Sequence, residues 1–148
     1  SHFLRRFYNN LDNDIRGNLV KKLLFVCIEN SCRSQMAEAF AKIHGNKKLF
    51  AYSAGSKASG IVNEKAIKSM SEIGYDLCTH RSVGLTEIPD VVYDVVVTMG
   101  CGDKCPNIMA KSRQDWDMSD PKNMNEKDFN KVRDRIEDRV KILLAEIS

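Results

Sequence analysis

The sequence predicts an α/β fold, in which a parallel twisted sheet of about four strands carries helices on both faces. A short, unbroken apolar run at 23–26, and a second stretch at 93–99 that contains three consecutive valines at 95–97, are typical of strands that are buried on both sides. Between and after these runs, apolar residues recur at helical spacing. Strands and helices therefore alternate along the chain, and this alternation is typical of a parallel sheet covered by helices.

Length and composition suit a single ordinary globular domain. The chain has 148 residues, of which 43% are hydrophobic and 29% are charged. A net charge of +3 is too small to indicate a nucleic-acid partner, and it suits a small anionic substrate. Apolar runs are too short to span a membrane, and nothing resembles a secretory signal. Five cysteines do not make a closed disulfide framework, so we expect a cytoplasmic protein in which some thiols are reactive.

Residues 1–20 are predicted to form an N-terminal helical extension, followed by the main domain at 21–148. Apolar residues from Phe3 to Leu19 recur at the spacing of an amphipathic helix. Such a helix packs either on its own domain or on a dimer mate. The alternative is that it is the tail of a lost partner domain.

The first half of the main domain predicts two strands and two helices. The first strand ends at Cys27, and a second follows at 49–52, closed by 53–55. Between them lies a helix whose apolar stripe is Met36, Ala37, Phe40, Ala41 and Ile43. Asn63 is predicted to cap the next helix and Gly74 to end it, with a buried stripe of Ala66, Ile67, Met70 and Ile73.

The second half predicts two further strands and a long closing helix. The third strand covers 93–99, and a short extended piece is expected near Trp116. Asn125 is predicted to cap the closing helix. Its core stripe is Phe129, Val132, Ile136, Val140, Leu143 and Ile147.

The segment between the first strand and the first helix has the features of an oxyanion site. Ligands of parallel sheets bind at the carboxyl ends of the strands, which is where Cys27 stands. The loop after Cys27 can turn several backbone N–H groups toward one centre, and the helix N-terminus adds positive potential. Arg33 can hold two oxygens of a tetrahedral anion with its planar guanidinium. The same field stabilises a thiolate, so Cys27 is the candidate nucleophile.

The remaining loop residues are predicted to support this site. Asn30 is expected to take the left-handed backbone conformation and Ser34 to donate a hydrogen bond to the Cys27 sulfur. Cys32 is interpreted as a packing residue or a backup thiol, and Cys78 as a small buried hydrophobe. The whole predicted oxyanion site is Ile28, Glu29, Asn30, Ser31, Cys32, Arg33 and Ser34. The alternative is that Cys27 is a buried thiol at a strand end and Arg33 a surface charge.

These motifs resemble the low-molecular-weight tyrosine phosphatase family, and within it the arsenate reductase branch. The similar stretches are 25–27 with 33–38, then 52–55, 74–76, 97–101 and 120–121. The resemblance covers about 22–147 and leaves out the N-terminal helix. It implies that Asp120, before Pro121, is the general acid that protonates a leaving oxygen. Asp117 is the competing candidate, and a plain turn residue is the alternative for Asp120.

The presence of Cys101 and Cys105 distinguishes a reductase from a phosphatase, because a reductase needs further thiols to receive two oxidising equivalents. In reductases of this type, a second cysteine attacks the arsenylated nucleophile and a third carries the disulfide to an external thiol reductant such as thioredoxin. By resemblance these are Cys101 and Cys105. The alternatives are a metal site, which the spacing disfavours, and a pair of structural thiols.

The predicted function is therefore reduction of arsenate to arsenite, with no tightly bound cofactor and no nucleic-acid or membrane partner. The alternatives are hydrolysis of phosphate monoesters through a Cys27 phosphoenzyme, and a non-catalytic anion-binding or redox-sensing module. Related phosphatases carry aromatic residues after the Asp-Pro pair, whereas Lys122 and Asn123 stand here. This difference favours the reductase, with phosphatase turnover as a weak side activity.

Two further expectations concern charge near the loop. The acidic Glu29 weakens anion binding unless its side chain points outward. Some relatives bind a potassium ion near the loop, and the matching residues are Asn30, Glu38, Ser53 and Asp76. The alternative is that their oxygens form a hydrogen-bond network that braces the loop.

Overall fold

The computed structural model describes residues 20–46, 48–100 and 108–148. Four parallel strands form one sheet in the order β2-β1-β3-β4. Their bounds are Lys21–Cys27 for β1, Leu49–Gly55 for β2, Tyr93–Thr98 for β3 and Ala110–Asp115 for β4. Cys27 pairs with Gly55, and Val26 pairs with Thr98, so the carboxyl ends of the strands meet at one edge. The predicted fold class and strand number are confirmed.

In the described residues, three α-helices accompany the sheet. They are α1 at Arg33–His44, α2 at Glu64–Ser71 and α3 at Glu126–Ile147, and a 3-10 turn covers Leu77–Thr79. The side chains of Asn63 and Asn125 each accept a backbone N–H hydrogen bond at 2.8 Å, so both predicted caps are confirmed. None of the helices in the described part of the chain is long and apolar enough to cross a membrane.

The two faces of the sheet are covered differently. Leu23 and Phe25 belong to a core shared with buried residues of all three helices, whereas Leu24 and Val26 pack with the segment 83–91. The sequence predicts helices on both faces; in the described ranges the second layer is this extended segment. A right-handed crossover from β2 to β3 must pass over that face, and a segment holding Gly and Pro does so without a helix.

Trp116 anchors the far side of the larger core. It is buried directly after β4, at the place where the short extended piece was predicted. Its ring lies 5.9 Å from that of Phe25, and the guanidinium of Arg139 lies 5.3 Å from the indole centroid.

Three details of the predicted elements are wrong. Cys78 is exposed, because its neighbour Leu77 takes the buried position of the single 3-10 turn. Ile73 is 42% exposed, because α2 ends at Ser71 instead of continuing to Gly74. The stretch 53–55 is part of β2 and does not close it. The predicted N-terminal helix lies almost entirely outside the described residues, and Cys101 and Cys105 lie wholly outside them.

Candidate active site

The loop from Cys27 to Arg33, called here the anion loop, turns its carbonyl oxygens outward. Backbone N–H groups of the segment 56–63 donate to them at 2.8–3.1 Å: Ser56 to Cys27, Lys57 to Ile28, Ser59 to Glu29 and Asn63 to Ser31. In a trans peptide the N–H points opposite to the carbonyl, so the loop N–H groups turn away from that segment. Several N–H groups that face one side are typical of a concave anion site, and this geometry agrees with the predicted oxyanion site.

Asn30 fixes the shape of the anion loop. Its φ of 50° lies in the left-handed region, as predicted. The buried side-chain amide donates to Ser34 Oγ at 2.7 Å. Its oxygen accepts hydrogen bonds from Gln35 Nε2 and from the Val83 N–H, both at 2.9 Å. A residue that must combine this backbone conformation with three such contacts leaves the loop little freedom.

Ser34 is placed to stabilise a thiolate at Cys27. The Cys27 sulfur and the Ser34 hydroxyl oxygen are 2.9 Å apart. Because Ser34 Oγ already accepts a hydrogen from Asn30, its own proton is left for the sulfur. The predicted contact is therefore present, and its geometry allows Ser34 to donate to the sulfur.

The second thiol of the anion loop has a different environment. Burial raises the pKa of Cys32 to about 12, although Ser31 and Arg33 act in the opposite direction. Cys32 is therefore protonated at neutral pH. Since the thiolate is the reactive form, the packing interpretation of Cys32 is favoured over the backup thiol.

The Arg33 guanidinium is buried and held from two sides. It belongs to the first residue of α1 and is 6% exposed. Nη1 donates to the Met118 carbonyl at 3.0 Å, and Nη2 lies 3.8 Å from a carboxylate oxygen of Asp120. Gly100 has φ of 84°, and a Cβ there would lie 2.5 Å from Nη1. The alternative in which Arg33 is a surface charge is thus contradicted.

Asp120 lies beside Arg33 at the partly exposed mouth of the site. Its Oδ1 accepts the Lys122 N–H at 3.1 Å, and its side chain is 40% exposed. Asp117 is exposed, and within the described ranges no hydrogen bond or ion pair joins it to the anion loop. The geometry therefore favours Asp120 as the carboxyl group that reaches a bound anion.

Sequence reasoning missed a buried relay of Gln35, His80 and Tyr75 behind the loop. Gln35 Nε2 donates to the backbone and side-chain oxygens of Asn30 at 3.0 and 2.9 Å, and to the Arg81 carbonyl at 2.9 Å. The Gln35 oxygen therefore faces His80 Nδ1, 2.9 Å away, which must donate. His80 Nε2 is then the acceptor for Tyr75 OH at 2.6 Å. The only signal in the sequence was the amide of Gln35 in the first turn of α1, directly before the apolar Met36 and Ala37.

The four residues predicted to bind potassium form hydrogen bonds with other protein groups. Glu38 accepts from Ser53 at 2.7 Å and Lys42 at 2.6 Å, with His80 at 3.3 Å. The Asp76 side chain accepts the Cys78 N–H at 3.0 Å. Because the oxygens of Asn30, Glu38 and Asp76 accept from protein donors, Ser53 itself donates, and an ammonium lies beside Glu38, these contacts favour the bracing network over the ion. Across the described ranges there is no cluster of three His, Cys, Asp or Glu suited to a metal.

Comparison with known proteins decides the family. Residues 22–148 match the low molecular weight phosphotyrosine protein phosphatase family. The chain belongs to this family. The predicted resemblance to the low molecular weight phosphatase family is thus confirmed, and the match covers nearly the whole main domain of this chain.

Within the low molecular weight phosphatase family, the chain is similar to arsenate reductases. It is 39% identical to the glutaredoxin arsenate reductase of a Synechocystis strain, over 87% of this chain and 100% of that protein. Identity to arsenate reductase 1 of Staphylococcus epidermidis is 40%, over 78% and 89%.

Solved structures of arsenate reductases share the fold. An arsenate reductase in the phosphate binding state has a TM-score of 0.80 at 39% identity, over 87% of this chain and 100% of that chain. The thioredoxin-dependent arsenate reductase of Corynebacterium glutamicum has a TM-score of 0.71 at 26% identity, over 88% and 63%.

We expect Asp120→Asn to slow the first chemical step by roughly a hundredfold or more, since an amide cannot supply the proton for the leaving oxygen. Asp117→Asn is the matched control and is expected to have a small effect. Rapid-quench measurement of the first turnover with p-nitrophenyl phosphate tests both variants. A larger loss in Asp117→Asn would mean that the general acid is the other carboxylate.

The buried relay predicts a pH dependence of stability. Burial lowers the pKa of His80 below its ordinary 6.5, against an upward pull from Glu38 and with a small downward push from Lys42. Below about pH 6.5 the unfolded chain takes up a proton that the folded chain resists. This contribution to stability is therefore complete above that pH and is lost as the pH falls toward the lower folded-state value.

The melting temperature of the wild type is accordingly expected to fall more steeply on acidification than that of His80→Gln, which keeps an N–H donor without the titration. Thermal denaturation from about pH 7.5 to about pH 5 measures this difference. His44→Gln removes the histidine that contacts Glu137 at 2.7 Å, and the difference in slope caused by His80→Gln is expected to persist in this background. Equal slopes for the wild type and His80→Gln would contradict the role given to His80.

Proposed function

We propose that this protein reduces arsenate to arsenite, with Cys27 as the nucleophile. The observation that carries the proposal is the 2.9 Å contact between the Cys27 sulfur and the Ser34 hydroxyl, inside a loop built for an oxyanion. Arg33 and Asp120 lie at the same loop, 3.8 Å from each other. Similarity to arsenate reductases over most of the chain supports arsenate as the anion.

In the first step, the loop N–H groups and Arg33 hold arsenate while the Cys27 thiolate attacks arsenic. A sulfur–arsenic bond forms, and the bond between arsenic and the hydroxyl oxygen of arsenate breaks. Asp120 supplies the proton, so that this oxygen leaves as water. Arsenic remains in its +5 state in this adduct, as phosphorus does in the phosphoenzyme of a phosphatase.

Reduction occurs in the second step, in which the Cys101 thiolate attacks the Cys27 sulfur. A disulfide forms, the sulfur–arsenic bond breaks, and its electron pair leaves with arsenic as arsenite. Cys105 then attacks Cys101, which frees Cys27 and forms a Cys101–Cys105 disulfide. An external dithiol such as thioredoxin, or glutaredoxin with glutathione, reduces that disulfide.

Chain connectivity supports Cys101 as the thiol that reaches Cys27. Gly100 lies against the Arg33 guanidinium, in the site itself. Cys101 is the next residue of the chain after Gly100. Cys105 follows four residues later, on a segment that also contains Gly102.

Phosphate monoester hydrolysis is the second candidate function. The family match favours it, and hydrolysis needs only Cys27, Arg33 and Asp120, all of which meet at the anion loop. We propose it as a weak side activity, because arsenate and phosphate share their shape and charge.

The proposal also covers the setting of the protein and its N-terminal part. We propose that the protein works in a reducing cytoplasm without a tightly bound cofactor, and that residues 1–20 form a separate helical extension.

The proposal is tested by mixing purified protein with arsenate and measuring arsenite release, separately with reduced thioredoxin and with glutaredoxin plus glutathione. We expect multiple turnover with at least one of these reductants and loss of free thiols when the reductant is omitted. Brisk hydrolysis of p-nitrophenyl phosphate without arsenite release or thiol loss would show that the protein is a phosphatase.

A further inference from the structure

The anion loop contains a carboxylate, which is an unfavourable group for a site that binds a negatively charged substrate. Glu29 is partly exposed, and its Oε1 lies 3.3 Å from the ammonium of Lys122. Its other oxygen is 3.5 Å from the Ser31 hydroxyl. An unpaired carboxylate at this place would repel an arsenate dianion, because both negative charges would lie at the same short loop.

Lys122 is held in place from two directions. Its backbone N–H is bound by Asp120 at 3.1 Å, so the ammonium extends from the segment that carries the proposed acid. From the other side, the Lys65 ammonium donates to the carbonyl oxygens of Lys122 at 3.0 Å and of Met124 at 2.9 Å. The Lys122 side chain therefore connects a fixed segment on one side of the site to the anion loop on the other.

We propose that the Glu29–Lys122 ion pair is a strap that sets which anions the site accepts. This inference rests on the proposed function. The strap cancels the charge of Glu29, so that the loop retains its affinity for a compact oxyanion. It also stands on the Asp120 side, where the leaving group departs. A departing water molecule is small enough to pass the ion pair, whereas the aryl group of a phosphate ester must displace the ion pair.

The strap acts on substrate selection more than on folding. Both of its side chains are 38–39% exposed, and ion pairs at such positions contribute little to stability. We therefore expect Glu29→Gln and Lys122→Gln to melt close to the wild-type temperature. Neither residue touches the reacting atoms in this account, so each is a specificity-determining residue that acts through charge and space.

A double-mutant cycle tests the charge effect. Binding of inorganic phosphate is measured by calorimetry with Cys27→Ser as the background, so that no turnover interferes. Adding Lys122→Gln is expected to weaken phosphate binding roughly fivefold or more, since it releases the Glu29 carboxylate, which then turns toward the anion. The same substitution in a Glu29→Gln background is expected to change binding less than about twofold.

The matched control is Lys68→Gln, which removes a lysine from an exposed pair with Glu126 at a similar distance of 3.2 Å. It is expected to leave phosphate binding unchanged. A Lys122→Gln effect of equal size with and without Glu29 would mean that Lys122 contacts the anion directly and would overturn the strap. Absence of an effect in both backgrounds would overturn it too.

The effect of the strap on substrate selection is measured by steady-state kinetics in protein that retains Cys27. Glu29→Gln/Lys122→Gln is expected to raise kcat/KM for p-nitrophenyl phosphate relative to kcat/KM for arsenate, chiefly through a lower KM for the ester. An unchanged ratio would contradict the proposal. A wild type that binds phosphate but releases no arsenite would refute the proposed function alone, whereas a reductase without coupling between Glu29 and Lys122 would refute the strap alone.

Discussion

Replacing Cys27 with Ser is expected to abolish arsenate reduction and p-nitrophenyl phosphate hydrolysis together, to the detection limit of both assays. A hydroxyl at this position is far less nucleophilic than the thiolate that Ser34 is placed to stabilise, and both reactions begin with the same attack. The fold is expected to survive, because the substitution changes one buried atom at a strand end. Circular dichroism and thermal denaturation check that the inactive variant is folded.

Cys32→Ser is the matched control for that experiment. It alters the other thiol of the anion loop, whose pKa burial raises to about 12. Because this thiol stays protonated, its loss is expected to leave most of the activity. Activity retained by Cys27→Ser and lost by Cys32→Ser would show that Cys32 is the nucleophile.

Arg33→Lys is the second substitution with a large expected effect. A lysine carries the same charge, but it cannot present two parallel N–H donors to two oxygens of one anion. It also loses the contact that fixes the guanidinium at the Met118 carbonyl. We expect kcat/KM for arsenate to fall by roughly a hundredfold or more, the usual effect of removing a donor to a developing oxyanion.

A second buried arginine provides the control. Arg133 is 9% exposed and donates to the Ser69 carbonyl between α2 and α3, away from the anion loop. Arg133→Lys is expected to lower the melting temperature while the kinetic constants for arsenate stay close to those of the wild type. If Arg33→Lys behaves in the same way, Arg33 has a structural role and another group binds the anion.

The sequence predicted those parts of the fold that depend on local patterns. β1 and β3 appeared as apolar runs, and the asparagine caps of α2 and α3 appeared at the correct residues. β4 was harder, because its residues AKSRQD are mostly exposed on an edge strand and have no apolar pattern. The end of α2 was misplaced, since the apolar Ile73 continued the helical spacing beyond the last turn.

In the site, contacts between residues close in sequence could be predicted, whereas contacts between distant residues could not. Cys27, Asn30, Arg33 and Ser34 lie within eight residues, so the strand–loop–helix pattern predicted their arrangement. The His80 contact with Gln35 spans 45 residues, and the Lys122 contact with Glu29 spans 93. Such contacts depend on how elements pack, and a single sequence carries no signal for the pairing.

The proposed order of thiol transfer is tested most directly by a single turnover of Cys105→Ser. The variant is mixed with arsenate without reductant, quenched with an alkylating agent, and its disulfides are mapped by mass spectrometry. We expect one arsenite released per protein and a trapped disulfide between Cys27 and Cys101, since the thiol that would resolve it is missing. A disulfide between Cys27 and Cys32, or arsenite release with Cys101 fully alkylated, would contradict the account.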